Sequence, residues 1–240
     1  MIEWQGQGTV LAARPHGETA AIVEAFTEGQ GRLAGIVHGG ASRKNAAALQ
    51  PGSELALRWR ARSEDALGTF TQEPLRSRAH ILADRRALAG LAAVTALLSY
   101  ALPERQPYPR LHAGTGTLLD GLGTDGWEAA YLEWEVLLLA ETGFALDLSR
   151  CAVTGAREGL AFVSPRTGRA VSEIGAGEWR DRLLPLPPVL KGEETGLGGV
   201  VEGLRVTGHF LEQSLARSVG RELPEARQRL VDRLAREAGV

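Results

Sequence analysis

Apolar and polar positions alternate along the first third of the chain in five short runs, Gly6–Leu11, Ala20–Phe26, Arg32–Val37, Glu54–Arg60 and Thr69–Gln72, separated by turns that carry Gly, Pro or Ser. The clearest alternation sets Leu55, Leu57 and Trp59 against Ala56, Arg58 and Arg60, a period of two that puts apolar side chains on one face of a strand and arginines on the other. Trp59 shares the register of Leu55 and Leu57, so core burial is expected for it rather than base stacking. Pro15–Glu18 and Glu28–Gly31 read as tight reversals that join the first three runs into hairpins. A longer connection follows, with a flexible polar start over Gly39–Asn45 and room for a helical turn over Ala46–Leu49. Five closely spaced strands predict a small barrel of the OB type, an architecture that binds oligonucleotides across one face.

From about Ala79 the period lengthens. Leu82, Leu88, Leu91, Val94, Leu97 and Leu98 recur at helical spacing among alanines until Pro103, and Leu111–Leu122 and Trp127–Thr142 predict two more helices, the latter presenting Leu132, Val136 and Leu139 before a C-terminal Gly143. Leu160–Ser164 and Arg169–Ser172 flank the turn Pro165–Gly168 and read as a small hairpin inserted among the helices. Pro185, Pro187 and Pro188 mark an irregular connection, and Leu197–Val219 and Pro224–Ala238 close the chain as helices. The expected class is α+β: a barrel domain over 1–78, then a helical domain over 79–240 that contains the hairpin at 151–177.

Composition changes this picture little. At 240 residues, 44% hydrophobic and 23% charged, the chain matches a folded globular protein. The longest apolar stretch, Leu91–Leu102, is too short to span a bilayer, and Met1–Gln7 lacks the basic and apolar regions of a secretion signal. A cytoplasmic protein without membrane contact is expected, and the single Cys151 agrees with a reducing compartment and excludes an internal disulfide. Charge matters more. The net formal charge is −2, with the acidity in the middle third, so any surface for nucleic acid is a local basic stripe whose affinity is modest and sensitive to salt.

Catalytic signatures are missing. His16, His38, His80, His112 and His209 are scattered, the glycines of 114–126 do not make a dinucleotide fingerprint, and neither a phosphate loop nor a nucleophile elbow occurs. Glu133 and Glu135 lie two apart on a helix, point to different sides and are expected to be solvated. The basic candidates are Arg32, Arg43 and Lys44, with Arg58, Arg60 and Arg62 on the neighbouring strand, because guanidinium and ammonium groups neutralise phosphates and release counterions. An ordinary solvated face is the alternative for all of them. No enzyme is expected and no cofactor.

The run Gly8-Thr9-Val10-Leu11 through Arg14-Pro15-His16-Gly17-Glu18-Thr19 to Phe26-Thr27, then Gly31-Arg32-Leu33-Ala34-Gly35-Ile36-Val37 and Gly39-Gly40, resembles the start of the DNA repair protein RecO family. Leu138-Leu139-Ala140-Glu141-Thr142-Gly143-Phe144, Asp147-Leu148, Cys151-Ala152-Val153-Thr154-Gly155 and Phe162-Val163-Ser164-Pro165 resemble its central part, so the likeness runs in order through nearly the whole chain. It implies an N-terminal OB-fold and a helical C-terminal domain. It further implies a bacterial, nucleoid-associated protein of DNA damage repair, including the SOS response; a monomer is expected, with the oligomeric state left open by the sequence. Such a protein binds single- and double-stranded DNA, anneals complementary strands, contacts the C-terminal tail of single-stranded DNA-binding protein and, with RecR, loads RecA. Arg32, Arg43 and Lys44, then Arg58 and Arg60, are its expected DNA contacts; Arg205, Arg217, Arg221, Arg227 and Arg229 are too many to choose among for the tail. The competing expectation is an interaction scaffold that reaches DNA only through partners.

Many members of that family hold zinc with two Cys-x-x-Cys pairs, and the corresponding positions here are Cys151, Thr154, Ser172 and Gly175. With one thiolate left, the hairpin is expected to be a degenerate zinc-finger-like element without metal, held by packing of Val153, Leu160, Phe162 and Val171.

Overall fold

The computed structural model describes residues 1–63, 66–193 and 195–240, which form two compact units, Met1–Thr124 and Asp125–Val240. The first is built on a closed five-stranded barrel with the strand order β1-β2-β3-β5-β4, where β1 is Ile2–His16, β2 Ala20–Thr27, β3 Gly31–Val37, β4 Glu54–Ala61 and β5 Gly68–Arg76. One strand makes closure feasible. β1 runs for 15 residues, pairs antiparallel with β4 through its first half and with β2 through its second, and bends between the two at a bulge near Val10–Ala12. Pro15 and His16 extend this strand, so the reversal lies after them rather than at Pro15.

The barrel is OB-like, and its seam is the parallel pairing of β3 with β5, which starts at Gly35 opposite Gly68. These two glycines make room for the largest rings inside. A Cβ on Gly35 would lie 2.6 Å from the Phe70 ring, and one on Gly68 would lie 2.2 Å from the Trp59 indole. Alternation does the rest: Leu33, Val37, Leu55, Leu57, Trp59 and Phe70 point inward as the period of two requires, and Trp59 Nε1 donates to Ala34 O at 3.0 Å. Between β3 and β4 lies the short helix α1, Arg43–Ala48, with Ser42 as its N-cap.

A 3₁₀ turn over Ala79–Ala83 leads to α2, Arg85–Ala101, whose N-cap Asp84 accepts from Arg86 N at 2.7 Å and Ala87 N at 3.3 Å. α3, Pro109–Gly121, follows with its proline in the first turn. Both helices belong to the same compact unit as the barrel. Buried Arg78 fastens α3 to the turn before β4 by donating to Gly52 O at 2.7 Å and to Asp120 Oδ1 at 2.7 Å. Leu82 and Leu88, which the helical period assigns to the apolar stripe, are exposed. Leu82 precedes the Asp84 cap and so lies outside the helix of Leu91, Val94, Leu97 and Leu98, whereas Leu88 stands in the first turn of that helix and is 38% exposed.

In the second unit, α4, Trp127–Glu141, ends in a Schellman motif: Phe144 N donates to Leu139 O at 2.7 Å and Gly143 N to Ala140 O at 3.2 Å, with Gly143 at φ 91°. The expected hairpin is present as β6, Leu160–Val163, and β7, Ala170–Ser172, followed by the single turn α5, Glu173–Ala176. A third strand, β8, Leu184–Pro185, lies within the segment read as irregular and pairs with Phe162 and Val163. α6, Leu197–Phe210, passes through a π-helical stretch at Leu211–Ala216 into the short α7, Arg217–Val219, and α8 covers Glu225–Ala238.

Glu135 is not solvated. It has no exposed surface, and its carboxylate takes a bidentate pair from Arg227, Nε to Oε1 and Nη2 to Oε2, both at 2.9 Å, and a 2.6 Å hydrogen bond from Thr207 Oγ1. This one group joins α4, α6 and α8. Burial works against the charge on Arg227, and Glu135 beside it more than offsets that and raises its pKa. A Cβ on Gly208 would lie 2.9 Å from Arg227 Nη1, so the glycine leaves the guanidinium its space. Among the described residues no helix is long and apolar enough to cross a membrane.

Candidate nucleic-acid interface

The barrel sorts the candidate cations by what their charge already meets. Arg32 faces outward on β3, but its side chain is only 19% exposed, with Nη1 3.3 Å from Glu24 Oε2 and 3.7 Å from Glu104 Oε1. Its Nε donates to Leu102 O at 2.8 Å, so this arginine fastens β3 to the segment after α2. Arg58 and Arg60 stand on the outer face of β4, as their alternation requires, and both reach Glu3 Oε1 on β1, at 3.6 and 3.1 Å. The Arg60 hydrogen bond holds the Glu3 carboxyl below the ordinary carboxylate range. Arg62 is exposed just beyond the strand.

Arg43 and Lys44 differ from these. They occupy the first turn of α1 rather than a flexible loop, are exposed, and enter no ion pair with a described residue. The Ser42 cap and the Asn45 side chain, which donates to Gly39 O at 3.0 Å, give the turn a defined shape.

A residue outside the sequence-derived set joins them. Arg14, exposed on the second half of β1, lines a depression of about 310 Å³ together with Gly40, Ala41 and Ala46. Ala46 belongs to α1, so the helix that carries Arg43 and Lys44 contributes to the same depression as Arg14. Arg14 follows the buried Val10-Leu11 pair in a stretch, 12–16, that is exposed on both faces as it runs past the barrel core, which the sequence alone does not show.

The arginines of the second unit divide similarly. Arg227 is buried, Arg229 pairs with Glu225 at 2.9 Å, and Arg205 is exposed on α6. Arg217, Arg221 and Arg227 line a depression of about 720 Å³ together with Glu212, Glu222 and Glu225, so its charge is balanced.

Around the hairpin, Cys151 Sγ accepts from Ser172 N at 3.2 Å, Ser172 Oγ at 3.3 Å, and the N–H groups of Val153 and Thr154 at 3.4 Å. Burial works against the charged sulfur, and these hydrogen bonds from Ser172 and Thr154 more than offset it, bringing the thiol down to about 6. The small core here is Cys151, Val171 and Ala176 with Leu160, Phe162 and Leu183 against it; Val153, expected in that packing, is 69% exposed. One thiol, two hydroxyls and a glycine do not suit structural zinc, and no cluster of three His, Cys, Asp or Glu among the described residues could hold a metal ion.

The chain matches known proteins over nearly its whole length. Residues 1–78 match the family described as recombination protein O N terminal, and residues 82–222 match recombination protein O C terminal. A protein of Cereibacter sphaeroides named DNA repair protein RecO is 56% identical, with 98% of this chain and 100% of that one covered. Proteins of the same name from Dinoroseobacter shibae and Jannaschia sp. are 57% and 55% identical, each over 98% of this chain and over 99% and 98% of their own.

Proposed function

This chain belongs to the recombination protein O family, and from that membership we propose that it serves recombinational DNA repair as a mediator without a catalytic step of its own. It binds single- and double-stranded DNA, anneals complementary strands and, with RecR, helps load RecA onto DNA coated by single-stranded DNA-binding protein, whose C-terminal tail it contacts. The work is electrostatic tethering of strands together with competition for a protein tail. Residues 1–78 act as the DNA-binding domain and 79–240 as the helical domain, in a cytoplasmic, nucleoid-associated monomer.

The observation that carries this reading is the pair Arg43 and Lys44, exposed on the short helix of an OB-like barrel without carboxylate partners among the described residues, on an element that shares a depression with Arg14. Arg58 and Arg60 can join the DNA-binding set by exchanging Glu3 for a phosphate. Arg32 contributes chiefly by holding β3 in place. Replacing Arg14, Arg43 and Lys44 together by Ala is expected to weaken oligonucleotide binding in fluorescence anisotropy and to flatten its dependence on salt, by roughly 0.7 in log–log slope for each single-strand phosphate no longer neutralised. The circular dichroism spectrum should not change. Unaltered affinity and slope would remove these residues from the interface.

The ion pairs on Arg32, Arg58 and Arg60 favour a second reading, a scaffold that reaches DNA through partners. That reading expects partner binding and no affinity for naked oligonucleotides.

A further inference from the structure

The depression beside Arg14 is lined mainly by small side chains. Ala13 on β1, Ala21 on β2, Ala41 before α1 and Ala46 on that helix contribute to its walls, with two prolines, a leucine and a glycine. Of the described residues that line it, only Arg14 and Gln50 carry polar side chains, and none is a carboxylate. Its volume of about 310 Å³ stands at the lower end of the roughly 300–1,000 Å³ of small-ligand sites, room for a single ring system rather than a helix or strand.

Backbone hydrogen bonds fix the walls. Ala41 N donates to Thr19 O at 3.0 Å and Gly40 N to Val37 O at 3.1 Å, which holds the loop before α1 against the end of β3 and the turn that leads into β2. A Cβ on Gly40 would lie 2.7 Å from Ala21 Cβ, so this loop rests directly on β2. At the end of the same connection, Gly52 N donates to Val10 O and Val10 N to Ser53 O, both at 2.8 Å, and these bonds fasten the turn after Pro51 to β1. A ligand entering the depression meets walls that are already ordered, which lowers the cost of binding.

Chemistry narrows the occupant. Alkyl walls suit the faces of a planar ring, and the Gln50 amide offers both a donor and an acceptor to a polar edge. Arg14 in the lining, with Arg43 and Lys44 exposed on the helix that supplies Ala46, answers a chain of phosphates. A nucleobase on its backbone has all three parts. A duplex keeps its bases paired and stacked, so a single strand presents one at far lower cost. Resting on the DNA-binding reading, we infer that this depression receives one unstacked base of a single strand and so gives the barrel a preference for single strands that phosphate contacts, common to both forms, do not supply.

The test uses the full chain. Ala13→Leu/Ala46→Leu fills the depression with alkyl groups, leaves every cation in place and adds no aromatic face on which a base could stack. Fluorescence anisotropy with a labelled single strand and the matching duplex should show the ratio of single-strand to duplex affinity falling about tenfold, the loss of one base contact, while single-strand binding keeps its salt slope. A single strand carrying 2-aminopurine should brighten on binding the wild type, as the probe leaves its stack, and brighten less with the variant. Should the double variant fail to fold, Ala46→Leu alone, at an exposed helical position, carries the same comparison. A wild type that binds the strand with no rise in 2-aminopurine signal, or a filled depression with an unchanged affinity ratio, would overturn the base pocket and leave the DNA-binding reading standing. A wild type that binds neither form would overturn both. Lost binding of a peptide that ends in an apolar residue, with the affinity ratio unchanged, would give the depression to a protein segment instead.

Discussion

Arg32 and Arg43 carry the same guanidinium and differ in what it meets. The first is held by two carboxylates and a carbonyl, so a phosphate would have to displace partners of comparable strength; the second meets no carboxylate among the described residues. Residue type alone cannot separate them, and for that reason the sequence-derived set contains both and omits Arg14. Position in the fold also decides His112, whose ring packs edge-on to Phe26 at 5.2 Å between centroids. Burial lowers its pKa from the ordinary 6.5, so just below that value the unfolded chain takes up a proton that the folded chain refuses. Stability therefore rises with pH through this window and falls on acidification. Denaturant midpoints measured across it should show that slope in the wild type and a smaller one in His112→Leu; equal slopes would remove His112 as the cause.

At the scale of elements, the buried Glu135–Arg227 pair is the strongest commitment in the second unit. Truncating one partner leaves the other charged, buried and alone, so Glu135→Ala should cost about 3–5 kcal/mol in a denaturant titration. A loss near that of a surface substitution would show the cavity relaxing around Arg227. The spacing of Glu133 and Glu135 correctly gives opposite sides of α4 but does not say that one side faces α6 and α8. The arginine that completes the pair lies 92 residues later and reads in sequence as one of many. Strands were easier. The alternation of 54–60 depends on a local rule, and the burial of Leu55, Leu57 and Trp59 follows it residue by residue. The bulge in β1 and the Gly35–Gly68 seam depend on strands distant in sequence, so only the closed barrel reveals why those glycines are there.

For the whole molecule, an OB-like barrel followed by a helical segment with an inserted hairpin was legible from periodicity, and the family from short runs in the right order. The candidate interface was legible only in part, because ion pairing and the meeting of β1 with α1 are tertiary facts. A net charge of −2 permits DNA binding only through a local surface, so the affinity should depend strongly on counterions. The most direct measurement is fluorescence anisotropy of a labelled single-stranded oligonucleotide titrated with the wild-type chain at two salt concentrations. Binding that weakens steeply as salt rises is the predicted result; no binding even at low salt would contradict it and leave DNA reached only through partners.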